Sequence, residues 1–223
     1  MVFPPQKPQV RAAERDEPRI RRWIERDWPR IKRRARRRRA HLVFLDETGF
    51  LLTPWVRRSW APRGQTPVVR DRMRHRRKLS AIGAITISPQ RRRLGCYMHL
   101  HEEAIGEAHI VVFLRDLLRH LRGDVVLVWD NLSAHGSAMV RDYVARHRRL
   151  AVEPLPPYAP ELNAQEYAWG YLKTGPLANL CPNDVDELAD HVATAACGVR
   201  NEQPLLRGFV HATGLPIRLK RLM

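Results

Sequence analysis

The 223-residue sequence is short of the features that would assign it at once. It has three cysteines, Cys96, Cys181 and Cys197, far apart and odd in number. They make no CxxC pair and no disulfide framework, so a reducing compartment is expected. The longest apolar runs, "HIVVFL" and "VVLVW", are too short to span a bilayer. The opening "MVFPPQKPQV" lacks the apolar core of a signal peptide. There is no HExxH, no GxxxxGK and no GxGxxG, which leaves zincin, P-loop and dinucleotide chemistry without a motif. "CYMHLHEE" offers Cys96, His99, His101 and Glu102, but His99 and His101 are alternate residues on one strand face, and no second ligand pair has zinc-site spacing. No internal repeat is present.

Negative charge is also scarce. Against 23 Asp+Glu stand 40 Lys+Arg, a formal net charge of +17. An arginine-favouring codon bias explains part of the arginine count. It does not explain the imbalance, because the acidic residues did not rise to match. A polyanionic partner is expected, most simply nucleic acid, whose phosphates reward clustered arginine through counterion release. The 44% hydrophobic content is enough for one sizeable core.

Residues 1–13 read as a loose tail. From Asp16 to about Arg39, Ile20, Ile24, Trp28, Ile31 and Ala35 form one apolar stripe at helical spacing. Asp16 and Glu17 suit its start, Pro18 its first turn, and Pro29 should kink or restart it. Residues 7–39 hold 15 Lys+Arg and five Asp+Glu, +10 of the +17. Arg33, Arg34, Arg36, Arg37, Arg38 and Arg39 are the densest run, a candidate DNA-contact surface; the alternative is a solvated face on a helix packed by its stripe.

Beyond the arm, strand and helix patterns alternate. "AHLVFLDETGF" reads as a strand ending at Asp46 with a turn at "ETG". "RRSWAPRGQTPVV" reads as a turn at Pro62–Gly64 leading into a short strand. "KLSAIGAITIS" and "RRRLGCYMHLH" read as two strands around "SPQ". "EAHIVVFLRDLLRHLRG" is a helix closed by Gly123, and "DVVLVWDNLSAHGS" a second apolar strand ending at Asp130. A helix "SAMVRDYVARHRR", a strand "LAVEPLPP", a proline loop and a helix opened by Asn163 follow, then helix from Asn183 to about Val199 and more helix near the end. This interleaving predicts an α/β core with a mixed central sheet. The expected division is a basic tail and helical arm at 1–40, a catalytic domain at 41–200 and a helical tail at 201–223.

Two buried-type strands that each end in an aspartate bring Asp46 and Asp130 to the carboxyl edge of the sheet if they lie parallel and adjacent. Two close carboxylates repel unless a cation neutralises them, and Mg²⁺ prefers such oxygens. A strand-end aspartate alone is more often a turn former; two on matched strands make the shared site an even alternative. Glu166 lies three residues after Asn163, the spacing of a capping-box variant. Capping explains the glutamate, but not the rigid proline loop that delivers its helix. Glu47 follows Asp46, so strand alternation sends it to the opposite face.

"FLDETGF", "RRSWAPRGQTP", "VLVWDNLSAH" and "LPPYAPELNAQEYAWGYLK" resemble, in order and spacing, the catalytic domain of DDE transposases, in the insertion-sequence branch of the mariner-like superfamily. The likeness spans roughly residues 15–200. Its last motif is the most specific, and the 35 residues between Asp130 and Glu166 match the short second spacing of that group. The resemblance implies an RNase H-like fold and an acidic triad of Asp46, Asp130 and Glu166. It implies two Mg²⁺, with Mn²⁺ able to substitute, about 3.5–4 Å apart. Asp46 would bridge them, with Asp130 and Glu166 holding one each. Water would cut the element's end, and the resulting 3′-hydroxyl would then attack target DNA.

Asn131 and His135 flank the second aspartate and read as supporting or DNA-contact residues. Asn163 reads as the cap that orients Glu166, Trp60 and Arg63 as turn-packing or DNA-contact residues, and Lys173 as a phosphate contact. The implied partners are transposon-end and target DNA, held in a homodimeric complex without a membrane, in the bacterial cytoplasm and at the nucleoid when bound. Members of the group carry helix-turn-helix domains ahead of the catalytic domain. About 40 residues precede the first catalytic strand here, so the expectation is a truncated copy or a separately encoded recognition subunit. The competing reading is a non-catalytic DNA-binding remnant. An RNase H-like hydrolase of RNA–DNA hybrids fits the fold but not the motifs.

Overall fold

The computed structural model describes residues 12–70 and 78–221; most of the expected N-terminal tail lies outside them. The expected mixed sheet is present. Its strands are β1 (His41–Leu51), β2 (Lys78–Ile87), β3 (Leu94–His101), β4 (Val125–Trp129) and β5 (Leu150–Pro154), in the order β3-β2-β1-β4-β5. β1 is central. It pairs antiparallel with β2 and parallel with β4; β2–β3 is antiparallel and β4–β5 parallel.

The arm forms α1 (Glu17–Arg22), a π-helical turn (Trp23–Asp27) and α2 (Trp28–Arg37). Asp16 caps α1 by accepting from the Arg19 N–H. Pro29 produces the expected restart: proline clashes with the carbonyl four residues back, and the chain widens by one residue just before it. Ile20, Trp23, Trp28, Ile31 and Ala35 are buried. Trp28 packs between Trp23 and Phe44, and the Trp23 indole donates to the Pro154 carbonyl. The arm therefore lies on the sheet by its apolar stripe. Buried Glu153 on β5 takes Arg30 and Arg34, while Arg38 pairs with Asp124.

On the arm's face of the sheet also lie α5 (Ala164–Thr174), α6 (Val185–Asn201) and α7 (Gln203–Ala212), over Leu42, Phe44 and Phe50. The opposite face carries α3 (Glu107–His120) and α4 (Ala138–Arg146), over Val43 and Leu45. Two expectations are corrected. The strand through Asp46 does not turn at "ETG", because pairing with β2 continues through Glu47 and Gly49 to Leu51. Gln65 closes a turn on the Pro62 carbonyl with Gly64 at φ +82°, but residues 65–70 form no strand. Among the described residues, no helix is long and apolar enough to cross a membrane.

Candidate active site

β1 and β4 pair from His41 opposite Val125 to Phe44 opposite Val128. Carried two residues further, the same offset sets Asp46 level with Asp130. Asp46 thus sits mid-strand, where β4 stops and β2 continues, and Asp130 follows the end of β4. The register explains the burial of Asp46: it occupies a row with Leu42, Phe44 and Phe50 and is 7% exposed. Its Oδ2 is buried without a hydrogen-bond partner.

α5 supplies the third carboxylate. The Asn163 side chain accepts from the Gln165 N–H and donates through Nδ2 to the carbonyl of Leu45, the residue before Asp46. One amide therefore caps the helix and ties its first turn to β1. The Asn163 N–H bonds to the Pro160 carbonyl, so Glu166 does not close a capping box. Asp46, Asp130 and Glu166 line one cleft of about 380 Å³, with Asn131, Asn163 and the proline loop around them. Asn163→Ala is expected to lower stability by about 1–3 kcal/mol, since it removes a cap and leaves a buried carbonyl unpaired. Asn163→Asp keeps the capping acceptor but loses the donor. Thermal melts of both variants separate the two contributions, and equal stability of Asn163→Ala and wild type would remove this tie from the account.

The electrostatics follow from the crowding. Burial, reinforced by the charges of Glu166, Glu47 and Asp130, pushes the Asp46 carboxyl well above its ordinary range. The nearby Trp169 indole pulls the other way, yet its N–H has no hydrogen-bond partner by geometry. Burial also raises Glu166, against the Lys173 charge and with that of Asp130. Burial lowers the Lys173 ammonium, which donates to Thr48 and lies over the Phe50 and Trp55 rings.

His135 organises the second aspartate from the other face. Its ring stacks on Trp129, with centroids 4.1 Å apart. Nδ1 meets Asp130 Oδ1 at 2.9 Å and Nε2 meets Glu47 Oε1 at 3.0 Å. Both nitrogens face acceptors, so both are donors and the ring is an imidazolium. Burial opposes that charge, but the hydrogen bonds to Asp130 and Glu47 outweigh it and push the pKa up to about 9. For Asp130 burial acts upward, and the bonds from His135 and the Leu132 N–H outweigh it, leaving the carboxyl below its ordinary range. Both bonds go to Oδ1. Glu47, Asp130 and His135 offer atoms within 4.8 Å of one another and could hold a metal ion; without one, the protonated ring serves as the cation between the two carboxylates.

Four carboxylates (Asp46, Glu47, Asp130, Glu166) thus face two cations (His135, Lys173). With every acid ionised the formal charge would be −2, and that repulsion, with the raised Asp46 carboxyl and its orphaned oxygen, fits a hard divalent cation. Asp46, Asp130 and Glu166 are the residues that would hold it.

The other expected residues scatter. Asn131 donates to the Leu155 carbonyl and lines the cleft. Trp60 is fully exposed and packs no turn; Arg63 is also exposed. Arg36, Arg37, Arg38 and Arg39 lie toward the opposite end of the strands, Arg33 is exposed on α2, and Arg34 reaches back to Glu153, level with Val128. Arg38 reaches Asp124 and the Arg148 carbonyl, just before β4 and β5. Five strand residues, at roughly 3.3 Å each, separate that edge from the carboxylates. The sequence reading passed over the Glu47–His135 bridge, whose signal was a glutamate and a histidine each beside a candidate aspartate.

The fold resembles solved structures of Mos1 mariner transposase. The Mos1 paired-end complex with left transposon end gives a TM-score of 0.70 at 19% identity, over 96% of this chain and 64% of that one. A pre-cleavage Mos1 transpososome gives 0.64 at 18% identity, over 98% and 69%. The Mos1 catalytic domain gives 0.56 at 16% identity, over 94% of this chain and 100% of that one. The chain thus spans 64% and 69% of the transposase chains in the two complexes and all of the catalytic-domain chain. No curated protein sequence matches it. Residues 41–189, from the first residue of β1 into α6, match the DDE superfamily endonucleases, and the chain belongs to that family.

Proposed function

We propose that the chain is the catalytic domain of a DDE transposase, with residues 41–200 as the catalytic unit, the arm before it and a helical tail after it. It would cleave DNA strands and transfer them in a divalent-metal-dependent manner through Asp46, Asp130 and Glu166. The observation that carries the reading is the shared cleft of these three carboxylates, short of positive charge and with one buried oxygen unpartnered. The named Mos1 complexes include paired transposon ends and crystals with Mn and with Mg. They support DNA as substrate and Mg²⁺ or Mn²⁺ as cofactor; a homodimeric complex and a separately encoded helix-turn-helix recognition subunit remain part of the proposal.

Bound divalent cations would supply Lewis-acid activation of the attacking oxygen and charge neutralisation on the leaving one. The protein's part is placement. Asp46 is fixed by its pairing with Gly83 of β2, two residues beyond the last β1–β4 pair. His135 and the Leu132 N–H occupy Oδ1 of Asp130 and so orient that carboxylate. Asn163 fixes the turn that presents Glu166. Lys173 keeps a positive charge near Glu166 and Asp46, limiting repulsion. The reactants need no covalent attachment to the protein, since an oriented water or 3′-hydroxyl is the nucleophile.

Supercoiled plasmid nicking in Mg²⁺ or Mn²⁺ tests the reading. Wild type is expected to nick, and Asp130→Asn to lose at least 100-fold. DNA binding with no nicking by wild type would leave the non-catalytic remnant. Metal affinity should also depend on pH. A raised Asp46 pKa means that the proton competes with the cation, so calorimetric Mn²⁺ affinity is expected to rise with pH and binding to release protons. A pH-independent affinity would argue against Asp46 as a ligand.

A further inference from the structure

Beside the cleft lies a second depression, about 370 Å³, between α1 and the end of β5. The two share Asn131, Leu155 and Pro156 as a common wall. Its outer side carries Arg19 and Arg22, exposed and one helical turn apart. Its floor is held by buried Trp23, whose indole bonds to the Pro154 carbonyl. The one acid that lines it, Asp27, is paired with Arg30. Most other arginines contacting the domain from the arm are already engaged: Arg15 by Glu17 and Glu161, Arg30 and Arg34 by Glu153, Arg38 by Asp124. Arg19 and Arg22 have no ion pair among the described residues, and they stand at the carboxylate edge of the sheet, not at the edge that carries Arg36–Arg39.

We propose that this groove seats the DNA strand that runs into the catalytic cleft, with Arg19 and Arg22 as its phosphate contacts. The inference rests on the DNA-cleavage reading and adds the route of the substrate. A guanidinium presents several donors to a phosphate, and neighbouring phosphates of one strand suit two arginines a helical turn apart. The groove is open to solvent and free of uncompensated acid, so a phosphate backbone meets no repulsion until the cleft itself. The shared wall then passes the strand from the basic groove to the carboxylates.

The test is fluorescence anisotropy of a labelled DNA duplex without divalent metal, from 50 to 200 mM salt. The proteins are wild type, Arg19→Ala/Arg22→Ala, Arg19→Lys/Arg22→Lys and Arg119→Ala/Arg146→Ala. The last pair removes the same charge from the α3–α4 face. The groove alanine pair is expected to lose roughly tenfold or more in affinity at low salt, with a log–log salt slope shallower by about 1.5–2. The lysine pair should recover the slope. Plasmid nicking by the alanine pair should fall at limiting DNA and recover at saturating DNA, a change in KM and not in kcat. An alanine pair that loses no more than the α3–α4 control overturns the groove while wild-type nicking leaves the cleavage reading in place. If wild type binds with the groove dependence but does not nick, the groove stands and the cleavage reading falls.

Discussion

Replacing Asp46 by asparagine is expected to abolish metal-dependent nicking and, in the metal-free protein, to raise the melting temperature. The two effects have one cause. Asp46 lies in an apolar row, with Oδ2 unpartnered and three other carboxylates bearing on it. Its folded-state pKa is raised, so the folded protein holds the proton more tightly than the unfolded chain does. The ionised carboxylate therefore costs stability as pH rises above the ordinary aspartate range. Asparagine is free of that cost, so the gain appears at neutral pH and disappears in acid. For a chain of this size each kcal/mol is worth roughly 2–4 °C, so a gain of a few degrees is readily measured. Mg²⁺ or Mn²⁺ should stabilise wild type and not the variant, narrowing or reversing the difference. A metal-free variant less stable than wild type at pH 7 would mean that the cleft's charge is already compensated, and the argument for a divalent cation would lose its basis.

The second large effect is expected at Gly83, which pairs directly with Asp46 across β1 and β2. A Cβ there would lie 2.7 Å from Trp169 Cη2, 2.9 Å from its Cζ2 and 3.0 Å from Gln165 Nε2. Trp169 is buried, and its ring is held edge-on against Phe50. It has no free volume to enter, so the helix must shift. That helix carries Glu166 one turn earlier. Gly83→Ala is expected to cost about 1–3 kcal/mol by overpacking and to reduce nicking on the order of 100-fold, the scale of a 1 Å misplacement in a catalytic site. Gly198→Ala is the control. It lies inside α6 with nothing within 4 Å of the added carbon, and it should stabilise by roughly 0.5–1 kcal/mol. Wild-type melting and nicking in Gly83→Ala would show that α5 is not seated through this contact.

The sequence by itself determined the five strands of the sheet, because apolar runs bounded by turn residues leave few alternatives; the short strand expected after Pro62–Gly64 did not form. It determined the stripe that holds the arm down, through helical spacing. Asn163 as a cap was legible from its place before α5, and the three acids from motifs in a fixed order. Other features depended on partners distant in the chain. The turn expected at "ETG" is overridden because β2, some 30 residues on, pairs with Glu47–Leu51 and keeps the strand extended. Whether Glu166 caps its helix or faces the cleft was decided by the Pro160 carbonyl and the Leu45 tie, which settle the Asn163 hydrogen bonds. The arginine run at 33–39 was the loudest local signal. The path of the arm carries Arg36–Arg39 to the far edge of the sheet, where Arg38 meets Asp124, and gives Arg34 to Glu153. Arg19 and Arg22, unremarkable in composition, stand beside the carboxylates. Composition records how much charge a chain carries; only the packing of the arm across the strands decides where that charge is free and which carboxylates share a cleft.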